Sequence, residues 1–295
     1  ELLAQRLPVS PPARLLATAQ DRLEEKRRFA QLGIPTPDFR PVESLANLEA
    51  AVAELKLPAV LKTRRFGYDG KGQAVLREPA DLSPAFARLG GVPLILEAFV
   101  PFDREVSLLF VQGRDGSQAA YPLVENVHRL GILRSSRAPA PGTTPQLQAL
   151  AEDYGQRLAR ELGCVGVLAI EFFQVGDGLL ANEMAPRVHN SGHWTIEGAE
   201  TSQFANHLRA VLGWPLGTTA ARGEVLMLNC IGQLPEPTQL LAERGVYLHD
   251  YAKEALPGRK LGHVTIVADS EAELRERAAA VTPWVVPREV PTSAD

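Results

Sequence analysis

The sequence predicts an α+β fold in which antiparallel hairpins and helices stack in layers. Three observations carry this reading. The short apolar runs "AVLK" and "QAVLR" flank a glycine-rich stretch, "RRFGYDGKGQ" (residues 64–73), as two strands flank a long hairpin tip. The runs of "GVLAIEFFQVGDGLLANEM" close around Gly176-Asp177-Gly178 as a second, tight hairpin. Capped helical segments lie between these hairpins rather than after every strand, which argues against a doubly wound parallel sheet.

Taken in order, Asp21 to Leu32 reads as a helix. Its acids (Asp21, Glu24, Glu25) come early and its cations (Lys26, Arg27, Arg28) late, as the helix dipole favours, and Gly33 and Pro35 stop it. Ser44 caps a second helix, with Leu45, Leu48, Val52 and Leu55 on one face. After the glycine-rich hairpin come strands at "PLILEAF", "EVSLLFVQG" and "AAYPLVENV", the last two joined by the turn "GRDGS". Thr144-Pro145 opens a long helix that Gly163 ends, with Leu147, Leu150, Ala151, Tyr154, Leu158 and Leu162 in register. The tight hairpin follows, then a helix at "SQFANHLRAVLG". From about Arg222 the chain carries short strands, the loop "KEALPGRKLGH", the strand "VTIVA" and the helix "SEAELRERAAAV".

A length of 295 residues suits two domains or one large one, and 45% hydrophobic with 22% charged residues is an ordinary globular composition. The net charge of −4 argues against a protein that coats nucleic acid, while leaving room for a locally basic anion pocket. Cys164 and Cys230 sit in apolar runs and read as buried free thiols of a reducing compartment. No apolar run approaches the length of a membrane span. The opening residues read as the interior of a longer chain, so an N-terminal portion is expected to be missing from it.

Four constellations bear on chemistry. In the glycine-rich loop, Gly67, Gly70 and Gly72 allow backbone N–H groups to turn toward an anion, with Lys71 and Arg64 adding charge. The competing reading is a plain surface hairpin. Lys62 weighs against that, since a lysine ending an apolar strand needs an anion or an exit to water. In the tight hairpin, pairing symmetric about Asp177 sets Glu171 opposite Glu183. Directly opposed carboxylates repel at Cβ separations of roughly 5 Å. A hard cation such as Mg²⁺ satisfies them; exposure on an edge strand is the alternative. Third, "APRVHNSGHW" gathers Arg187, His189, Asn190, Ser191 and His193 in an irregular stretch suited to an oxyanion or a sugar, and the histidine spacing suits zinc poorly. Fourth, Lys253, Arg259 and Lys260 surround a Pro-Gly turn, either as a phosphate site or as a solvated basic loop.

The order of these pieces resembles the ATP-grasp superfamily. "RRFGYDGKGQ", "YPLVENVHRLGILRSS", "NEMAPRVHNSGHW" and "PGRKLGH" are similar to the N5-carboxyaminoimidazole ribonucleotide synthetases of purine biosynthesis, over nearly the whole chain. The resemblance implies an ADP-forming carbon–nitrogen ligase of the cytoplasm, working as a homodimer without nucleic acid or membrane. Its fold would be two α+β subdomains gripping ATP, residues 23–97 (the small, lid-bearing one) and 98–215, then a β-rich C-terminal domain at 216–295. Residues 1–22 would be the remnant of an N-terminal domain and its linker.

The resemblance also assigns residues. ATP would be held by Arg14, Lys62, the flexible lid Gly67, Tyr68, Asp69, Gly70, Lys71, Gly72 and Gln73, the hinge Glu97, Ala98, Phe99 and Val100, Glu105 at the ribose, His128, Asn182 and Glu183. Mg²⁺ would sit on Glu171 and Glu183. Tyr68, Asp69, Lys71, Arg187, His189 and Asn190 would serve catalysis. Tyr68, Lys71, Arg187, Asn190 and Ser191 would frame 5-aminoimidazole ribonucleotide, with Lys253, Arg259 and Lys260 on its phosphate. Bicarbonate would be the third substrate. Ala185 stands where many ATP-grasp proteins have Asn, which thins the metal shell and leaves Asn182 or water to complete it. Formate-dependent glycinamide ribonucleotide formyltransferase shares the same logic and is the alternative enzyme; a nucleotide-binding module without turnover is the alternative from another class.

Overall fold

The computed structural model describes residues 2–67 and 71–286. Two short helices open the chain, α1 (Ala13–Ala19) and α2 (Arg22–Gln31). Asp21 is the N-cap of α2, not a residue inside it: its carboxylate accepts from Leu23 N. A four-stranded antiparallel sheet follows, in the order β1 (Phe39–Val42), β4 (Leu94–Ala98), β2 (Ala59–Thr63) and β3 (Gln73–Leu76). Helices α3 (Leu45–Leu55) and α4 (Leu82–Leu89) cover one face and bury Leu48, Leu61, Leu76, Leu82 and Leu96. Ser44 caps α3 as its sequence predicts.

The second sheet is larger. It runs β10 (Gly178–Ala185), β9 (Gly166–Val175), β5 (Arg104–Gln112), β7 (Val124–Arg129), β8 (Ile132–Ala138), β11 (Glu224–Ile231), β13 (Lys260–Ala268) and β12 (Val246–Asp250), with β6 (Gln118–Ala120) paired to β5. The expected single strand "AAYPLVENV" is two strands: Tyr121 N still donates to Leu109 O, and the chain then leaves the ladder at Pro122, which has no N–H to offer it. Helix α5 (Pro145–Leu162) packs Leu147, Leu158 and Leu162 against Phe110, Ile170 and Phe172. Trp194 and Ala210 of the helical segment α6 (Thr195–Gly198) to α7 (Gln203–Leu212) and its approach fill the opposite face with Tyr121 and Met227. After the single turn α8 (Pro237–Leu240), helix α9 (Glu271–Val285) covers β11 and β13. No helix among the described residues is long and apolar enough to cross a membrane.

The C-terminal strands do not form a sheet of their own. β11 pairs with β8 from Val225↔Ala138 to Leu228↔Ser135, so one ladder runs from β10 to β12. Within it Gly262 allows β12 and β13 to meet closely: a Cβ there would lie 2.2 Å from His249 O. Because that neighbour is backbone, Gly262→Ala is expected to destabilise the protein by about 1–3 kcal/mol. An unchanged urea midpoint would show that the strands can part.

Candidate active site

A cleft of about 410 Å³ opens between the two sheets. β2 and β3 give it Val60, Lys62, Gln73 and Val75, the hinge after β4 gives Ala98, Phe99 and Val100, and the large sheet gives Glu105, His128, Glu171, Phe173 and Glu183. Its inner wall is apolar at one end, where Phe102 stacks on Phe173 with centroids 4.8 Å apart. Such a slot suits a flat ring, and the charged end suits phosphates. Gly67 and Lys71 line the rim; Tyr68, Asp69 and Gly70 lie outside the described residues. Gly72 must be glycine: its φ is +76° and a Cβ would sit 2.6 Å from Thr63 Oγ1. Arg64 does not face the cleft. It grips Asp21 through Nε (2.9 Å) and Nη2 (2.7 Å), and Arg65 joins at 3.3 Å, so these cations anchor the loop to the start of α2.

The facing glutamates are real, although the turn lies half a residue from the expected centre. Gly178 pairs with Val175 and Ala181 with Phe172, a register that alone would set Asn182 opposite Glu171. A β-bulge at Asn182 absorbs one residue and brings Glu183 opposite Glu171. Burial and the charge of Glu183 push the Glu171 carboxyl up to about 8. Burial resists ionisation of Glu183 as well, but the Arg22 guanidinium at 2.9 Å holds its carboxyl below the usual range. The buried Oδ1 atom of Asn182 finds no hydrogen-bond partner among the described residues. Two carboxylates and an orphaned amide oxygen suit Mg²⁺, which takes one or two carboxylates and fills the rest with water and phosphate. Among the described residues no cluster of three or more His, Cys, Asp or Glu could enclose a metal alone.

Helix α2 contributes what the sequence did not reveal. Its Arg22 lines the cleft, and Glu25 and Lys26 are buried rather than arrayed along a dipole. β10 is an edge strand, and α2 satisfies its open groups: Lys26 Nζ donates to Ala181 O (3.1 Å) and Glu25 accepts from Met184 N (2.6 Å). Lys26 also faces Glu97 at 3.5 Å, while Lys62 reaches the same carboxylate at 2.8 Å. Burial opposes the charge on Glu97, yet the two ammonium groups bring its carboxyl down to about 2. The Glu97 side chain is therefore an internal counter-ion at the wall of the cleft. Arg14, expected at the nucleotide, is elsewhere: its Nε donates to Leu162 O at the end of α5. Arg22 holds the position in the cleft, eight residues on.

At the other rim, Glu105 is hydrogen-bonded to Nδ1 of His128. Burial works against the His128 cation, but the Glu105 carboxylate raises its pKa. Arg187, His189 and Asn190 line the same cavity. Burial and Arg187 together lower the His189 pKa to about 4. Ser191 is fully buried behind His189, so its hydroxyl is not offered to a ligand as expected. Of the three basic residues near the Pro-Gly turn, only Lys260 reaches the site, donating to Asn190 Oδ1 and to His193 Nδ1. Arg259 is exposed and donates to Glu254 O, and Lys253 lies over the Tyr251 ring.

Comparison with known proteins agrees with this geometry. Residues 27–204 match the ATP-grasp domain family, and residues 225–277 match the phosphoribosylaminoimidazole carboxylase C-terminal domain. The chain is 58% identical over 279 residues to the N5-carboxyaminoimidazole ribonucleotide synthase of Pseudomonas aeruginosa, covering 95% of this chain and 77% of that one. The crystal structure of the corresponding synthetase from Thermus thermophilus superposes with a TM-score of 0.93 at 55% identity, over 99% of this chain and 79% of that one. A synthase from Aspergillus clavatus, solved with ADP and 5-aminoimidazole ribonucleotide, gives 0.88 at 28% identity, over 96% and 78%. The chain thus spans about three quarters of the length of these relatives, and it belongs to the N5-carboxyaminoimidazole ribonucleotide synthase family of ATP-grasp proteins.

Proposed function

We propose that the chain catalyses the ATP-dependent carboxylation of 5-aminoimidazole ribonucleotide by bicarbonate, yielding N5-carboxyaminoimidazole ribonucleotide, ADP and phosphate. The observation that carries this is one cleft lined by Lys62, Arg22, the facing glutamates, Arg187 and Asn190, with Lys260 donating to Asn190. A bicarbonate oxygen attacks the γ-phosphorus, ADP departs, and carboxyphosphate forms. The exocyclic amine then attacks the carboxyl carbon, or CO₂ released from it, as phosphate leaves. Glu171 and Glu183, with Asn182 beside them, would hold Mg²⁺, which when bound neutralises phosphate charge.

In this reading Lys62, Gly67, Lys71 and Gln73 hold the phosphates. The backbone of Glu97–Val100 lines the adenine against Phe173, and Glu105 meets the ribose. Arg187, His189 and Asn190 surround the reacting centre, and Lys260 holds the ribonucleotide phosphate. In this reading β1–β4 with α3 and α4 act as the small unit, the large sheet with α1, α2 and α5 to α7 as the large one, and β11–β13 with α9 as a C-terminal part continuous with that sheet, in place of a boundary at residue 23. The chain would act as a homodimer, and a reducing cytoplasm suits the two buried free thiols, Cys164 and Cys230.

Coupled ADP assays test the substrate. Release of ADP that requires both bicarbonate and the imidazole ribonucleotide is expected. Equal or faster release with formate and glycinamide ribonucleotide would assign the chain to the formyltransferase reaction. ATP binding without release in either mixture would make it a binding module.

A further inference from the structure

Behind the cleft, a line of fully or nearly buried polar side chains crosses the large sheet. Ser136 Oγ donates to Asn126 Oδ1 (2.7 Å), Asn126 Nδ2 to Ser107 Oγ (2.9 Å), and Ser107 Oγ to Ser191 Oγ (2.8 Å). Ser191 then meets His189 Nδ1 twice, through its hydroxyl at 2.9 Å and its backbone N–H at 3.3 Å. The far ring nitrogen, Nε2, lies 3.3 Å from Glu171 Oε1. Four adjacent strands hold the line, β9, β5, β7 and β8, because Asn126 pairs with Ser136 across β7 and β8 and Ser107 pairs with Glu171 across β5 and β9.

The sense of every bond is fixed from one end. A backbone N–H can only donate, so Nδ1 of His189 carries no proton. The Ser191 hydroxyl must then donate to Nδ1 and accept from Ser107. The Ser107 proton is thereby committed, so Ser107 accepts from the Asn126 amide nitrogen. The amide oxygen, turned the other way, takes the Ser136 hydroxyl. With Nδ1 occupied as an acceptor, the imidazole proton is on Nε2, toward Glu171 and the cleft.

We infer that Ser107, Asn126 and Ser136 are positioning residues that hold His189 as a hydrogen-bond donor to the cleft, and that His189 is not the base that deprotonates the amine. Neutral imidazole with Nε2–H has its only lone pair on Nδ1, and Ser191 covers it on the interior side. What His189 offers is a fixed N–H aimed at the region where carboxyl and phosphate oxygens gather charge. The inference rests on the proposed reaction for its kinetic consequence, but not for its structural one.

The test has two arms. Histidine ¹⁵N spectra of the metal-free and ATP-loaded protein, assigned with His189→Gln, are expected to show His189 protonated at Nε2 and bare at Nδ1. A proton on Nδ1 overturns the inference. The second arm uses Ser107→Ala, which removes a link, and Asn126→Asp, which draws the Ser107 proton backward and lets Ser191 donate to Ser107 instead of His189. Both are expected to lower kcat about tenfold, or about 1.4 kcal/mol, with ATP Kd and ribonucleotide KM within about twofold. Asn126→Asp is also expected to shift the Nδ1 resonance. Folded variants with wild-type kcat overturn the positioning role. If neither variant folds, the wild-type spectrum decides alone. A protein inactive on these substrates but carrying the Nε2–H tautomer refutes the proposed reaction and leaves the chain's polarity intact.

Discussion

Glu183→Gln and Glu171→Gln are each expected to abolish measurable ADP formation while the fold survives. A neutral amide keeps the shape of the pair but removes charge from the face that would hold Mg²⁺. Losing one preorganised electrostatic contact at a reacting phosphoryl group costs roughly a hundred- to a thousandfold, and loss of the metal compounds it. Stability should move the other way. The folded-state pKa of Glu171 is raised to about 8 by burial and by Glu183. A carboxyl with a raised pKa binds its proton more tightly when folded. The metal-free protein therefore loses stability as pH climbs from the ordinary carboxylate range to about 8. Glu25, also raised to about 8 by burial and by Glu183, adds to this slope. Glu171→Gln removes its share, so its urea midpoint in chelator should overtake the wild type with rising pH and level off above about pH 8. Near-normal turnover at ordinary Mg²⁺ would refute the metal assignment, and a midpoint difference that shrinks as pH rises would refute the raised pKa of Glu171.

Lys62→Ala is expected to weaken ATP and spare the ribonucleotide, and Lys260→Ala to do the reverse. In the proposed reaction each ammonium serves one phosphate: Lys62 lies beside Glu97 in the small sheet, and Lys260, at the start of β13 in the large sheet, lies beside Asn190. A hydrogen bond to a charged group contributes roughly 1.5–3 kcal/mol, or about ten- to a hundredfold. Lys62→Ala should raise ATP Kd by that factor, and it leaves Glu97 with Lys26 alone. Lys260→Ala should raise the ribonucleotide KM by the same factor, with ATP Kd changed less than about twofold. Arg259→Ala should do less, since Arg259 is exposed and its guanidinium donates to Glu254 O. Calorimetry with ATP beside steady-state kinetics separates the two pockets. Equal loss of both ligands in Lys260→Ala would place it in overall folding instead.

Much of this site was legible because its chemistry sits on short-period elements. Alternation along two strands around a tight turn put Glu171 and Glu183 on one face, and a lysine at the end of "AVLK" announced Lys62. The bulge at Asn182 left no mark, because a single extra residue changes pairing without changing composition, and the symmetric guess reached the right pair from a displaced centre. Arg22, Glu25 and Lys26 were hidden by their own pattern, since acids then bases along a short helix look like a solvated surface. Only the edge strand they cover explains why two of them are buried. The match of Arg14 in place of Arg22 failed for the same reason. The pairing of β8 with β11 joins segments far apart in sequence, and no local periodicity records which distant strand a given strand will meet.

That unbroken ladder has a kinetic meaning. Glu183 belongs to β10 and Lys260 opens β13, so in the proposed reaction the groups for the phosphoryl step and for the ribonucleotide hang from one hydrogen-bonded frame. Strand pairing within that one sheet then fixes their separation. The amine and the carboxyl carbon then meet at an effective molarity fixed by strand spacing, and well-oriented groups held this way reach roughly 10⁵–10⁸ M. Closure of the small sheet adds cover but need not bring the reactants together. A lesion confined to the β8–β11 seam should therefore leave each substrate bound at its own end and slow only the step that joins them.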